Sequence, residues 1–212
     1  MVSHETRTAL VGIQGLSELI RDGDLSEEEM RAHADDIFGE AQKVNAFIGE
    51  VFDLNRLETG ETPFRKARVD VNRIIGDIAN KAQTKARHPI ELNPSEDRPL
   101  VSGDPDRLRQ AIENVLSFVL AAAKPGSHVW VATGSEDGTS RVSIRFNSLK
   151  DVDFEDWLSG RYERYEQRPS AIMGAGLGLA IARAIIELHG GHIGVESSPR
   201  SGTEFQVTLP AL

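Results

Sequence analysis

At 212 residues the chain exceeds the usual single-domain size, and its 39% hydrophobic content supports a packed core, so one domain with a helical appendage or two small domains is expected. A formal charge of −9 with no basic or basic-aromatic cluster argues against nucleic acid, and the absence of cysteine excludes disulfides, thiolate metal sites and cysteine nucleophiles. No apolar run approaches the roughly 20 residues that span a bilayer, and the N-terminus lacks the basic-then-apolar order of a signal peptide, so a soluble, cytoplasmic piece is expected.

From about Ser3 to Ile20, apolar residues at Leu10, Ile13, Leu16, Leu19 and Ile20 follow the three-four spacing of an amphipathic helix. Arg21-Asp22-Gly23-Asp24 reads as a turn, and Ser26 with Glu29 three residues on forms a capping-box signature for a second helix. In that helix Met30, Ile37, Val44 and Val51 recur every seven residues, joined by Ala34, Ala41 and Ile48 and widened by Phe47 and Leu54. Such a face is a bundle seam, and two helices on a short turn cannot close a core alone. The expectation is a homodimer forming a four-helix bundle; packing of the face on the rest of the chain is the alternative.

Thr59-Gly60-Glu61-Thr62-Pro63 ends the second helix, placing a boundary between residues 1–59 and 60–212. Beyond it the pattern predicts a helix near 71–87, a strand at 90–92, a helix near 105–123, strands about Val129–Val131 and Val142–Ile144, a helix starting near Leu179 and two final strands. The expected class is α+β with two domains, a helical hairpin followed by an α/β sandwich with helices on one face of a sheet.

The run His4-Glu5-Thr6-Arg7-Thr8-Ala9-Leu10 resembles the phospho-acceptor box of two-component sensor histidine kinases, whose pattern is His-Glu-x-Arg-Thr-Pro-Leu. A histidine attacks phosphorus through a neutral ring nitrogen, and a carboxylate that takes the other ring proton sharpens it. The resemblance makes His4 the acceptor, Glu5 its base and Thr8, one helical turn away, the residue that positions water against a phospho-aspartate. Ala9 stands where the family has proline, so the family's bend there is expected to be absent. The family sets this histidine well inside a long helix, which implies further residues upstream; Ser3 as a simple helix cap is the alternative. The other histidines, His33, His88, His128, His189 and His192, have no metal spacing and are read as structural, and no metal-ligand set is expected.

Gly174-Ala175-Gly176-Leu177-Gly178-Leu179 resembles the glycine box of the same family's ATP lid. Glycines at 174, 176 and 178 would let backbone N–H groups reach phosphates, though the same pattern also suits tight packing against a sheet. Downstream, Gly202 and Thr203 continue the family order, and Tyr162-Glu163-Arg164-Tyr165 looks like its aromatic box. Asp104-Pro105, Arg107, Gln110 and Asn114 match the family's asparagine-box helix, but the next asparagine, which helps hold Mg²⁺, is Phe118, and the family's lysine and aromatic are Ala121 and Ala122. The Asp-x-Gly-x-Gly adenine box is replaced by Ser148-Leu149-Lys150-Asp151-Val152; a shifted loop using Asp151 or Asp153 is the alternative.

The resemblance therefore implies a GHKL-type ATPase domain with a degenerate nucleotide site. Asn114, Gly174, Gly176, Gly178, Gly202 and Thr203 are its remaining cofactor-binding candidates, and ATP with Mg²⁺ is expected to bind weakly or not at all. The expected function is phosphotransfer at His4, or dephosphorylation of a response-regulator receiver domain through Glu5 and Thr8. An ATP-driven autokinase with a divergent pocket and a non-enzymatic scaffold are the alternatives.

Overall fold

The computed structural model describes residues 2–61, 63–84, 86–148, 154, 170–198 and 202–212. Two units emerge, Met1–Asn55 and Arg56–Leu212.

The first unit is a hairpin of α1 (Val2–Asp22) and most of α2 (Glu27–Glu58). Helix α1 stops because the Gly23 amide donates to the Leu19 carbonyl at 2.9 Å, closing the last turn. Helix α2 starts at a reciprocal cap: the Ser26 amide donates to the Glu29 carboxylate at 2.9 Å, and the Glu29 amide returns to the Ser26 hydroxyl at 3.3 Å. Ala9 and Phe47 are buried, whereas Phe38 and Phe52 on α2 stay 64% and 67% exposed. Ile48 and Met30 of the heptad seam are exposed too, so part of that face is uncovered in a single chain. Residues 1–55 also hold twelve acidic and only four basic side chains, which places nearly all of the chain's net negative charge on the hairpin.

The second unit is built on a five-stranded sheet in the order β2-β4-β5-β7-β6, comprising Ile90–Asn93, Val129–Glu136, Thr139–Phe146, Gly202–Pro210 and His192–Ser198 respectively. Strand β2 runs parallel to β4, and every other pairing is antiparallel. Alternation sorts the faces: Val129, Val131, Val142, Ile144, Phe205 and Val207 are buried, while Trp130, Arg145 and Glu204 lie on the other side, where Arg145 donates to Glu204 at 3.1 Å. The buried face meets α3 (Val71–Gln83), α4 (Pro105–Ala122) and α5 (Ser170–Leu188), giving the two-layer sandwich expected of the GHKL ATPase architecture. The β4–β5 turn is Asp137-Gly138, both at positive φ of 49° and 72°, the conformation a tight two-residue hairpin demands.

Two strands were not foreseen. β1 (Ala67–Asp70) and β3 (Leu100–Gly103) pair antiparallel in a small separate sheet. Val69 in one strand and the adjacent Leu100 and Val101 in the other are their strong apolar signals, too few for a period-two pattern. Helix α3 also ends earlier than the sequence suggests, because the Thr84 hydroxyl donates to the Lys81 carbonyl at 2.8 Å and the Gln83 side chain accepts from the Ile90 amide at 2.7 Å.

Candidate functional site

Helix α1 is continuous from Val2 to Asp22 through Ala9, as expected where proline is missing. His4 and Glu5 belong to its first turns by backbone, and their side chains fall outside the described residues. Thr8 is exposed one turn along from His4, on the same helix face.

The second cluster starts at Asp104, which caps α4. Its carboxylate accepts from the amides of Asp106 and Arg107 at 3.0 and 3.1 Å, and from the Arg65 amide at 3.0 Å. Burial raises the carboxyl pKa, and these three N–H donors outweigh it, leaving Asp104 below the ordinary carboxylate value. One turn into the helix, Arg107 donates to the Gln110 side-chain oxygen at 2.8 Å. Two turns on, Asn114 lies against Gly178 of α5: a Cβ at Gly178 would come within 3.3 Å of Asn114 Cγ.

Phe118, one further turn along, is completely buried. It meets Phe154 edge-on with ring centroids 6.2 Å apart and Phe205 at 5.8 Å. Phe154 in turn is edge-on to Phe146 at 5.8 Å and to Phe205 at 5.7 Å. Four rings from α4, β5, β7 and the segment after β5 thus form one aromatic cluster; Phe146 and Phe205 are stacked, and the edge-on pairs suit the ring quadrupoles. Phe154 was not singled out in the sequence, because a lone aromatic six residues after Ser148 has no periodic partner to mark it.

Ser148 lies beside this cluster. The Thr203 hydroxyl donates to the Ser148 hydroxyl at 3.2 Å, and Ser197 lies 2.9 Å from Thr203, so Ser197 is the donor in that pair. Thr203 is fully buried, and this chain of hydroxyls satisfies it. Gly202 has φ +78°, and a Cβ there would meet the Phe146 carbonyl oxygen at 2.8 Å. Its glycine is therefore required by backbone conformation and by close approach to β5.

The glycine run differs from the expected loop. Gly174, Gly176 and Gly178 lie inside α5, which begins at Ser170 and not near Leu179. Helix interiors commit each amide to the carbonyl four residues back, so in this conformation only the first turn has free N–H groups. The physical reason for the longer helix is that Ser170-Ala171-Ile172-Met173 precedes the glycines without a breaker, and Gly178 gains a close seat on Asn114. Asp151, Asp153, the Tyr162-to-Tyr165 box and Ser201 lie outside the described residues.

Residues 103–212 match the family model described as histidine kinase-, DNA gyrase B-, and HSP90-like ATPase, and residues 1–60 match the His Kinase A (phospho-acceptor) domain. The chain belongs to the histidine kinase family. Among curated histidine kinases and sensor proteins it is 29% identical to sensor protein DivL of Caulobacter vibrioides over 99% of this chain and 27% of that protein. It is 32% identical to the probable sensor histidine kinase TcrY of Mycobacterium tuberculosis over 98% of this chain and 44% of that one. The chain thus spans less than half the length of these relatives. In fold it is similar to the Acinetobacter baumannii histidine kinase AdeS, with a TM-score of 0.77 at 17% identity, covering 99% of this chain and 98% of that chain. It is also similar to full-length ShkA in complex with AMPPNP, with a TM-score of 0.70 at 24% identity over 99% of this chain and 44% of that one. Among the described residues no helix is long and apolar enough to cross a membrane.

Proposed function

We propose that this histidine kinase module works in two-component signalling as a phosphotransfer or phosphatase unit, with ATP use weakened or lost. The observation that carries the reading is Phe118. At the position where the family resemblance calls for a cation-holding asparagine, a fully buried ring packs against Phe154 and Phe205. A hard cation needs oxygen ligands, and a phenyl ring offers none. At the adenine-reading position Ser148 is already hydrogen-bonded to Thr203, and a lost polar partner at a buried site costs about 1–3 kcal/mol. Nothing in these residues fits the nucleotide well, so the chemistry is assigned to α1.

There His4 is the phosphoryl acceptor or donor, Glu5 takes the second imidazole proton, and Thr8 orients water. A second copy of the hairpin is the natural cover for the open α2 face, making the working unit a homodimer, with a receiver domain as partner and an upstream sensor segment as input. Incubating the dimer with a ³²P-labelled receiver domain tests the assignment. Label should move to the chain or leave the receiver faster, His4→Ala should abolish transfer, and Thr8→Ala should slow hydrolysis. If label neither moves nor disappears faster than from the receiver alone, the reading fails.

The autokinase alternative draws support from the ATPase match over residues 103–212 and from Asn114, which survives on α4. Calorimetric titration with ATP and Mg²⁺ separates the two. Saturable binding together with labelling by [γ-³²P]ATP that His4→Ala removes would favour the autokinase.

A further inference from the structure

His189 sits where three segments of the second unit meet, and both of its ring nitrogens are committed. Nδ1 donates to the Ile185 carbonyl at 2.7 Å, and Nε2 accepts from the Asp104 amide at 3.0 Å. Only the neutral imidazole with its proton on Nδ1 makes both bonds. The ring lies so close to Gly103 that a Cβ there would fall 2.5 Å from His189 Cδ2. Against its other side lies Phe64, with ring centroids 4.6 Å apart. Phe64 and Arg65 belong to the segment by which the chain passes from α2 to β1. That segment is held at two points, by the Phe64 ring on His189 and by the Arg65 amide on Asp104.

We propose that His189 is a proton-operated latch that holds the connecting segment Phe64–Lys66 on the second unit when neutral and releases it when protonated. A proton on Nε2 would set two N–H donors against each other, His189 and the Asp104 amide, and the Asp104 peptide would have to turn. That peptide carries the carboxylate which anchors Arg65, so one protonation loosens both holds. The charged groups facing the ring are Asp104, which favours the cation, and Lys66, which opposes it. Burial is the largest influence and lowers the imidazole pKa from its usual 6.5, while the Ile185 carbonyl raises it. The sign follows: a histidine held neutral in the fold contributes stability that is complete above 6.5 and is lost as pH falls toward the lower folded value. A proton would then set how freely the catalytic-type unit moves on its tether, a control separate from phosphoryl chemistry at His4.

The test uses the full chain, ¹⁵N-labelled at histidine and ¹³C-labelled at phenylalanine, titrated from about pH 8 to about pH 5 across the histidine range. His189 should titrate below 6.5, and the Phe64 ring signals should move with the same midpoint. Tryptic cleavage after Arg65 and Lys66, normalised to a free peptide of residues 59–70, should rise by up to about tenfold per pH unit through that window. In His189→Gln, whose amide cannot titrate, the normalised rate should be flat. Equal pH dependence in wild type and His189→Gln would overturn the latch, as would Phe64 signals that stay fixed while His189 titrates. Should His189→Gln not fold, the wild-type co-titration of Phe64 decides the matter alone. Phosphotransfer from a receiver is a different readout, so failure of the latch leaves the proposed function standing, and the reverse.

Discussion

Phe118→Ala is expected to lower the unfolding free energy of the 56–212 unit by about 3–5 kcal/mol, the usual loss for truncating a fully buried phenylalanine. The ring touches Phe154 and Phe205 and has no solvent on any side, so its removal leaves a cavity that the α4 backbone cannot collapse to fill. Phe118→Asn, which restores the family's residue, should cost at least as much. It introduces a side-chain amide at a fully buried position against the Phe154 and Phe205 rings. Urea denaturation followed by tryptophan fluorescence measures both. A loss below about 1 kcal/mol for Phe118→Ala would mean that the ring is dispensable to the fold and would remove the packing on which the proposed loss of ATP use rests. A functional nucleotide site should behave in the opposite way, since a residue that lines an open pocket stabilises the fold little when empty.

Gly202→Ala should destabilise the same unit by about 2–5 kcal/mol, combining roughly 1–2 for a left-handed alanine with roughly 1–3 for overpacking. The methyl would point at the Phe146 carbonyl oxygen 2.8 Å away, and that oxygen belongs to β5 and cannot swing aside as a side chain would. The loss should be the same with and without ATP and Mg²⁺, read as the urea midpoint in each condition. A destabilisation that appears only when nucleotide is present would assign Gly202 to ligand binding and count against a structural role.

The elements that could be read from sequence were those whose signal is local and repeated. The capping box at Ser26 and Glu29 formed with both of its hydrogen bonds, and Asp104-Pro105 opened α4 as a carboxylate cap with proline in the first turn. The alternation at Val129–Val131 and Val142–Ile144 survived as buried valines and isoleucine separated by the less buried Trp130 and Ser143. What escaped was set by distant partners. β1 and β3 are strands only because Val69 and Val101 find each other across an intervening helix and strand. The early start of α5 at Ser170 escaped because a sequence window contains the glycines and not Asn114, whose side chain packs against Gly178. Phe118 could be identified as an anomaly by register alone, but its partner Phe154 could not, since aromatic clustering is a property of the folded sheet. His189 was read as a structural histidine, and nothing in its sequence neighbours reveals that Phe64 and Asp104 both depend on it.

The crowding of acidic side chains on residues 1–55 has a consequence for self-association. Two such hairpins brought side by side repel across the whole length of their seam, while the exposed phenylalanines pull them together. Added electrolyte shortens the reach of that repulsion, from about 30 Å at 0.01 M to about 10 Å at 0.1 M, and leaves the apolar attraction intact. Pairing of this protein should therefore tighten as sodium chloride is raised, the reverse of an interface built on opposite charges, and sedimentation equilibrium at the two concentrations reads it directly.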